Sequence, residues 1–120
     1  MRSYEKLKER FVYGCRMRQD VDYADKASVR KYNRGMDICR KVMKQIDTDY
    51  PDKLDDFSGF LESPETEIRY MCAFCLAEIA HLSQEQEQRT LEKVAEYFDT
   101  QFSLLTMPRW LEEYKNRRKK

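Results

Sequence analysis

Residues 63–82 read Ser-Pro-Glu-Thr-Glu-Ile-Arg-Tyr-Met-Cys-Ala-Phe-Cys-Leu-Ala-Glu-Ile-Ala-His-Leu, and no other stretch constrains the fold as much. Ser63 suits a helix N-cap and Pro64 suits the first helical position, where a missing N–H costs nothing. Glu65 and Glu67 place negative charge at the positive end of the helix dipole. Ile68, Met71, Cys72, Cys75, Ile79 and Leu82 recur at helical spacing, and Ala73, Ala77 and Ala80 fall on the flank. A helix apolar on more than one side has to be buried on more than one side. The spacing therefore predicts a helix at the centre of a helical stack.

The rest of the chain suits that setting. Gly and Pro number only three each in 120 residues, so long regular elements joined by few turns are expected. A chain of this length can bury a core without disulfides or metal. Hydrophobic residues make up 41% and charged residues 38%, which describes a soluble globular chain. No run of eighteen apolar residues is present, so no membrane-spanning helix is expected. Met1-Arg2-Ser3-Tyr4-Glu5-Lys6 lacks the apolar region of a signal peptide. With no export signal, the four cysteines read as reduced thiols packed in a core, and the cytoplasm is the expected compartment.

Taken in order, the apolar periodicity predicts six helices in one domain. The first covers 3 to about 19, with Tyr4, Leu7, Phe11, Gly14 and Cys15 on one face. The second covers 26 to about 47, with Val29, Tyr32, Met36, Cys39, Met43 and Ile46 inward and Gly35 allowing close packing. Pro51 breaks the chain, and Asp52 can cap a short third helix to about 62 with Leu54, Phe57 and Leu61 inward. The central helix follows. Ser83-Gln84-Glu85-Gln86 reads as a capping box for a fifth helix, with Leu91, Val94, Ala95, Phe98 and Phe102 inward. Thr106 and Pro108 open a last helix to about Lys115, carrying Met107, Trp110, Leu111 and Tyr114, and residues 115–120 are expected to fray. Links this short make consecutive helices antiparallel neighbours, stacked in pairs. The expected fold is all-α.

Residues 53–82 resemble one HEAT-type unit. A short helix ends in Leu61-Glu62, and a second begins with Ile68-Arg69 and carries small residues at 73, 77 and 80. Tyr32-Asn33-Arg34 adds an Asn followed by a basic residue in the preceding long helix. Over about residues 5–100 the chain resembles a small bacterial family of HEAT-like single domains, although Met71 and Cys72 stand where alanines are commoner. Such domains occur among immunity proteins that neutralise toxins. The resemblance implies a non-enzymatic binding protein. It also implies a structural role for Arg69, bonding helix-end carbonyls or an acid between repeats.

The residues offer little catalytic chemistry. Cys72-Ala73-Phe74-Cys75 is a CxxC without a second ligand pair, so core packing is expected rather than zinc. His81 is the single histidine, and adjacent acids such as Asp55-Asp56 point in different directions on a helix. No phosphate loop or metal motif is present, and no cofactor is expected. Asn33 sits mid-helix, where Asn is unfavourable, so a structural hydrogen bond is expected of it.

Charge is zoned although the net charge is only +1: residues 1–44 carry +7, residues 45–67 carry −7 and residues 109–120 carry +4. Asp47, Asp49, Asp52, Asp55, Asp56, Glu62, Glu65 and Glu67 make up the acidic block, with Tyr50 among them. If Asp49, Tyr50, Asp52, Asp55, Asp56, Glu62 and Glu65 share one edge, they form a partner-binding surface suited to the basic cleft of a toxin. A general helical scaffold is the alternative. A third reading is a nucleic-acid module using Arg30, Lys31, Arg34, Lys41 and Lys44 with the basic tail.

Overall fold

The N-terminal helix forms where its cap dictates. In the computed structural model, which describes residues 2–100 and 106–118, Ser3 Oγ accepts a hydrogen bond from the Lys6 N–H and opens α1, Tyr4–Arg16. The helix ends earlier than expected, in turns over residues 17–20 that close with Asp20 at a φ of 55°. Asp25 caps α2, Lys26–Asp49, through its Oδ1 and the Ala27 N–H. Pro51 ends that helix, as its ring requires.

The next segment departs from the expected single short helix. It runs as a 3₁₀ turn at Pro51–Lys53, one α-turn at Leu54–Phe57 (α3), and a second 3₁₀ turn at Ser58–Glu62. Asp52 caps nothing. The 3₁₀ turn begins at Pro51, so Asp52 already lies inside it, and no side chain caps α3. Ser58 Oγ donates to the Leu54 carbonyl at 2.7 Å, a back-bond that bends a helix at that point. Leu54, Phe57 and Leu61 are nevertheless all buried.

The central helix, α4, spans Thr66–Ile79, shorter than 63–82. Ser63 Oγ accepts from the Glu65 N–H at 3.2 Å, forming a tight turn ahead of the helix, so Glu65 takes the N-cap position and Pro64 stays outside. At the other end Ala80 is extended, with ψ 151°. α4 touches α1, α2, the Ser58–Glu62 turn and α5, so it has neighbours on several sides. Leu76, off the predicted stripe, is buried with Met71, Cys72 and Cys75 for that reason.

The capping box forms as read. Gln86 N–H donates to Ser83 Oγ at 3.2 Å, Ser83 N–H donates to Gln86 Oε1 at 2.8 Å, and α5 runs Gln84–Thr100. α6 spans Thr106–Arg118, so the helix continues past Lys115. Phe102, the side chains of Thr106 and Met107, and the last two lysines lie outside the described residues.

Every regular element among the described residues is helical, and elements adjacent in sequence pack together: α1 with α2, the 51–62 segment with α4, and α5 with α4 and, more lightly, α6. α1 and α2 cross where Gly14 meets Gly35. A Cβ on Gly35 would lie 2.5 Å from the Gly14 carbonyl oxygen, closer than any side chain tolerates. α2 buries Ile38 and Val42 beside the expected Cys39, Met43 and Ile46, whereas Val29, Tyr32 and Met36 are only half-buried. α2 is 24 residues long and α1 only 13, so the start of α2 lacks full cover. Phe11, Phe57 and Phe60 form one aromatic cluster with centroids 4.8–5.5 Å apart. Tyr70, Phe74, Tyr97, Phe98 and Trp110 form a second, largely edge-to-face, between α4, α5 and α6. Such pairs contribute roughly 0.5–1.5 kcal/mol each beyond area burial.

Candidate interaction surfaces

The acidic block lies on the 51–62 segment and its flanks, and that segment runs between α1 and α5. Its acids therefore divide between two neighbours. Toward α1, Asp56 Oδ2 accepts from Tyr4 Oη at 2.5 Å and from Lys8 Nζ at 3.1 Å. Glu65 meets Arg16 in a two-pronged pair at 3.0 and 3.3 Å. Toward α5, Asp55 Oδ1 accepts from Gln86 Nε2 at 2.6 Å, and Glu62 lies 3.7 Å from Lys93 Nζ. Tyr50 Oη donates to the Arg2 carbonyl at 2.8 Å. Asp47 faces the link after α4, where its carboxylate takes the His81 N–H at 2.9 Å and lies 2.6 Å from His81 Nδ1.

Most of the block thus straps the segment onto its neighbours. Asp56 shows this in its titration: the Tyr4 hydroxyl, then Lys8, hold its carboxyl below the ordinary range. Burial, then the bond to Asp56, push the Tyr4 phenol up. Asp49 and Asp52 are exposed and hold no side-chain bond or ion pair among the described residues. Asp55 is also exposed, with only one oxygen engaged.

Arg69 joins three elements. Its Nη1 donates to the Ser63 carbonyl at 2.8 Å, its guanidinium lies 4.8 Å from the Tyr70 ring centre, and its Nε lies 3.7 Å from Glu96 Oε2 on α5. Asn33 is different. It is exposed, and its side chain makes no hydrogen bond among the described residues, so the bond expected of it is not made. The neighbouring cations Arg30, Lys31, Arg34, Lys41 and Lys44 are exposed on α2. Tyr32, their aromatic neighbour, is taken up by Arg18, whose guanidinium stacks 4.9 Å from the ring centre.

All four cysteines are buried and free. Cys15 Sγ and Cys39 Sγ lie 3.7 Å apart across the α1–α2 crossing. Burial pushes the Cys72 and Cys75 thiols up, and the contact with Cys39, then burial, does the same to Cys15. The described residues contain no cluster of His, Cys, Asp and Glu able to hold a metal. None of their helices is long and apolar enough to cross a membrane.

One partly enclosed concavity was not visible in the sequence. A cleft of about 210 Å³ opens between α2, α4 and α5, lined by Met36, Tyr70, Phe74 and Tyr97 together with Arg18 and Arg40. Arg18 stands just beyond the end of α1, in a stretch whose sequence signal is only that of a helix end. Its Nη1 donates to Met71 Sδ and its Nη2 to Tyr32 Oη, each at 3.0 Å, and its Nε is buried without a partner. Arg40 is exposed. Neither arginine has an ion pair with a carboxylate of the described residues. Past Arg18, Tyr70 and Tyr97 the cleft continues into a shallower trough of about 540 Å³ that Tyr23, Asp20 and Glu67 also line.

No protein-family model, curated protein or solved structure matches this chain.

Proposed function

We propose that this chain is a non-enzymatic, cytoplasmic protein-binding domain of the immunity type, which binds a cognate bacterial toxin and blocks it. The HEAT-like pattern of residues 53–82 is one support. The observation that carries the reading is the exposed acidic corner after α2, where Asp49 and Asp52 stand without internal partners beside the half-engaged Asp55. Unpaired surface carboxylates speed encounter with a basic surface and oppose a like-charged one. The binding surface is therefore narrower than the whole block, because Asp56, Glu62 and Glu65 are engaged in holding the fold.

The test is co-expression with the C-terminal region of the product encoded immediately upstream. That region alone should arrest growth, and this chain should restore growth and co-purify with it. Substituting Asp49, Asp52 and Asp55 together by Lys should slow association at least about tenfold at low salt and leave the helical content unchanged. Unaltered association of the triple variant would remove the acidic corner from the interface. Absence of both toxicity and complex would remove the toxin.

A further inference from the structure

We propose that the cleft between α2, α4 and α5 binds the C-terminal residue of a partner chain, its apolar side chain seated inside and its terminal carboxylate held by Arg18 and Arg40. This goes beyond the toxin reading and uses a different surface from the acidic corner.

Size decides the kind of occupant. Sites for cofactors and drug-sized ligands run to about 300–1,000 Å³. The cleft itself, at about 210 Å³, lies below that range and accommodates one large side chain, and the trough of about 540 Å³ that it continues into has room for the preceding residues of an extended chain. Its walls of Met36, Met71, Phe74 and Tyr97 are aromatic and thioether, suited to an apolar ring or branched chain.

Charge decides what accompanies the side chain. Arg18 is half-buried, and its acceptors are a thioether and a phenol, neither of which carries a counter-charge. A desolvated guanidinium with a buried, unsatisfied Nε gains from an arriving carboxylate, which can accept in the planar fork geometry. Arg40 adds a second positive charge to the lining, which with Glu78, the one acid there and bonded to Trp110 Nε1 at 3.4 Å, keeps a net charge of +1.

The trough decides between a chain end and an acidic internal segment. Beyond Arg18 its walls carry Asp20 and Glu67, and its further arginine, Arg69, is paired with Glu96. Several acids in a row would meet repulsion there. A single terminal carboxylate preceded by neutral or basic residues keeps its charge out of that trough and between Arg18 and Arg40, which outnumber Glu78 in the cleft. A C-terminal residue also carries its side chain and carboxylate on one Cα, which suits so small a cleft.

The probe is the N-acetylated tetrapeptide Gly-Lys-Ser-Phe, with a free C-terminal carboxylate or as the amide, titrated into the full chain labelled with ¹³C at the methionine methyls. Met36 and Met71 line the cleft, and the fully buried Met43 serves as the control. The free acid should move the Met36 and Met71 signals saturably and leave Met43 in place. The amide should bind at least about tenfold more weakly, the loss expected for one charge-assisted hydrogen bond. Arg40→Gln, at an exposed position that leaves the fold intact, should erase most of that difference, and Arg18→Gln should do the same. Equal binding of acid and amide would overturn the proposal, as would an absence of methyl shifts with either. Tighter binding of an amidated peptide with Asp in place of Ser would also overturn it, in favour of an internal acidic segment.

Discussion

At the scale of single residues, the protein's titrating groups report packing. Asp56 is more than half exposed, yet two donors hold it: the Tyr4 hydroxyl at 2.5 Å and the Lys8 ammonium at 3.1 Å. Its folded-state pKa is depressed, so its contribution to stability is present above the unfolded value of about 3.9 and is lost as pH falls through the folded value. Carboxyl NMR should show Asp56 titrating below the ordinary aspartate range. Tyr4→Phe, which removes the largest cause, should move it back up. If Asp56 titrates normally in the unaltered chain, the Tyr4 bond is not formed in solution. Tyr4 itself is raised, so its contribution is complete below about pH 10 and declines as pH rises beyond that. The four thiols carry a second expectation. Buried and raised in pKa, Cys15, Cys72 and Cys75 present almost no thiolate at neutral pH, and Cys39 is equally enclosed. Native protein should resist alkylation by iodoacetamide until urea unfolds it, when all four cysteines should react. Rapid modification of any one under native conditions would contradict the packing.

At the scale of elements, the crossing of α1 and α2 depends on two glycines. A Cβ on Gly14 would meet Cys39 Sγ at 2.9 Å and the Gly35 carbonyl at 3.0 Å, and one on Gly35 would meet backbone at 2.5 Å. Backbone cannot move aside as a flexible side chain can. Gly35→Ala should therefore destabilise the chain by about 1–2 kcal/mol, the overpacking cost less the helix propensity that alanine gains. Gly59 has open space around its would-be Cβ, so Gly59→Ala should be neutral or slightly stabilising. Urea midpoints of the two variants compare them directly, and equal midpoints would mean that the helices do not cross this closely.

At the scale of the whole molecule, the paired layers are tied by side chains reaching between elements distant in sequence. Arg69 fastens the turn before α4, through Ser63, to α5, through Glu96, while stacking on Tyr70. Arg69→Met keeps the apolar stem and removes these polar ties. The loss should be about 1.5–3 kcal/mol, the range for hydrogen bonds to a charged group, read as a lower urea midpoint with an unchanged slope. A change within about 0.5 kcal/mol, typical of a free surface residue, would show that the ties contribute little.

Much of this fold is legible in the chain because helices are local. The capping box at Ser83, the break at Pro51 and the inward positions Leu54, Phe57 and Leu61 follow from hydrogen-bonding and periodicity within a few residues. Gly35 read as a site of close packing, but that its neighbour there is Gly14 emerged only from the crossing of α1 and α2. What the sequence could not contain was the destination of long side chains. The acids of residues 47–65 read as one negative edge along the chain, but they reach Tyr4, Lys8 and Arg16 on one side and His81, Gln86 and Lys93 on the other. Those partners lie about 31 to 52 positions away, and helical periodicity carries no information at such separations. The cleft arises the same way. Arg18, Arg40 and Tyr97 come from three separate stretches, and only the stacking of α4 against α2 and α5 brings them together. The sequence by itself determined that this chain is helical and most of its inward positions, because those are nearest-neighbour matters, while the half-burial of Val29, Tyr32 and Met36 and the burial of Leu76 depended on which helices cover them. Tertiary structure alone decided which charges are engaged between elements and which, like Asp49 and Asp52, face solvent without an internal partner among the described residues.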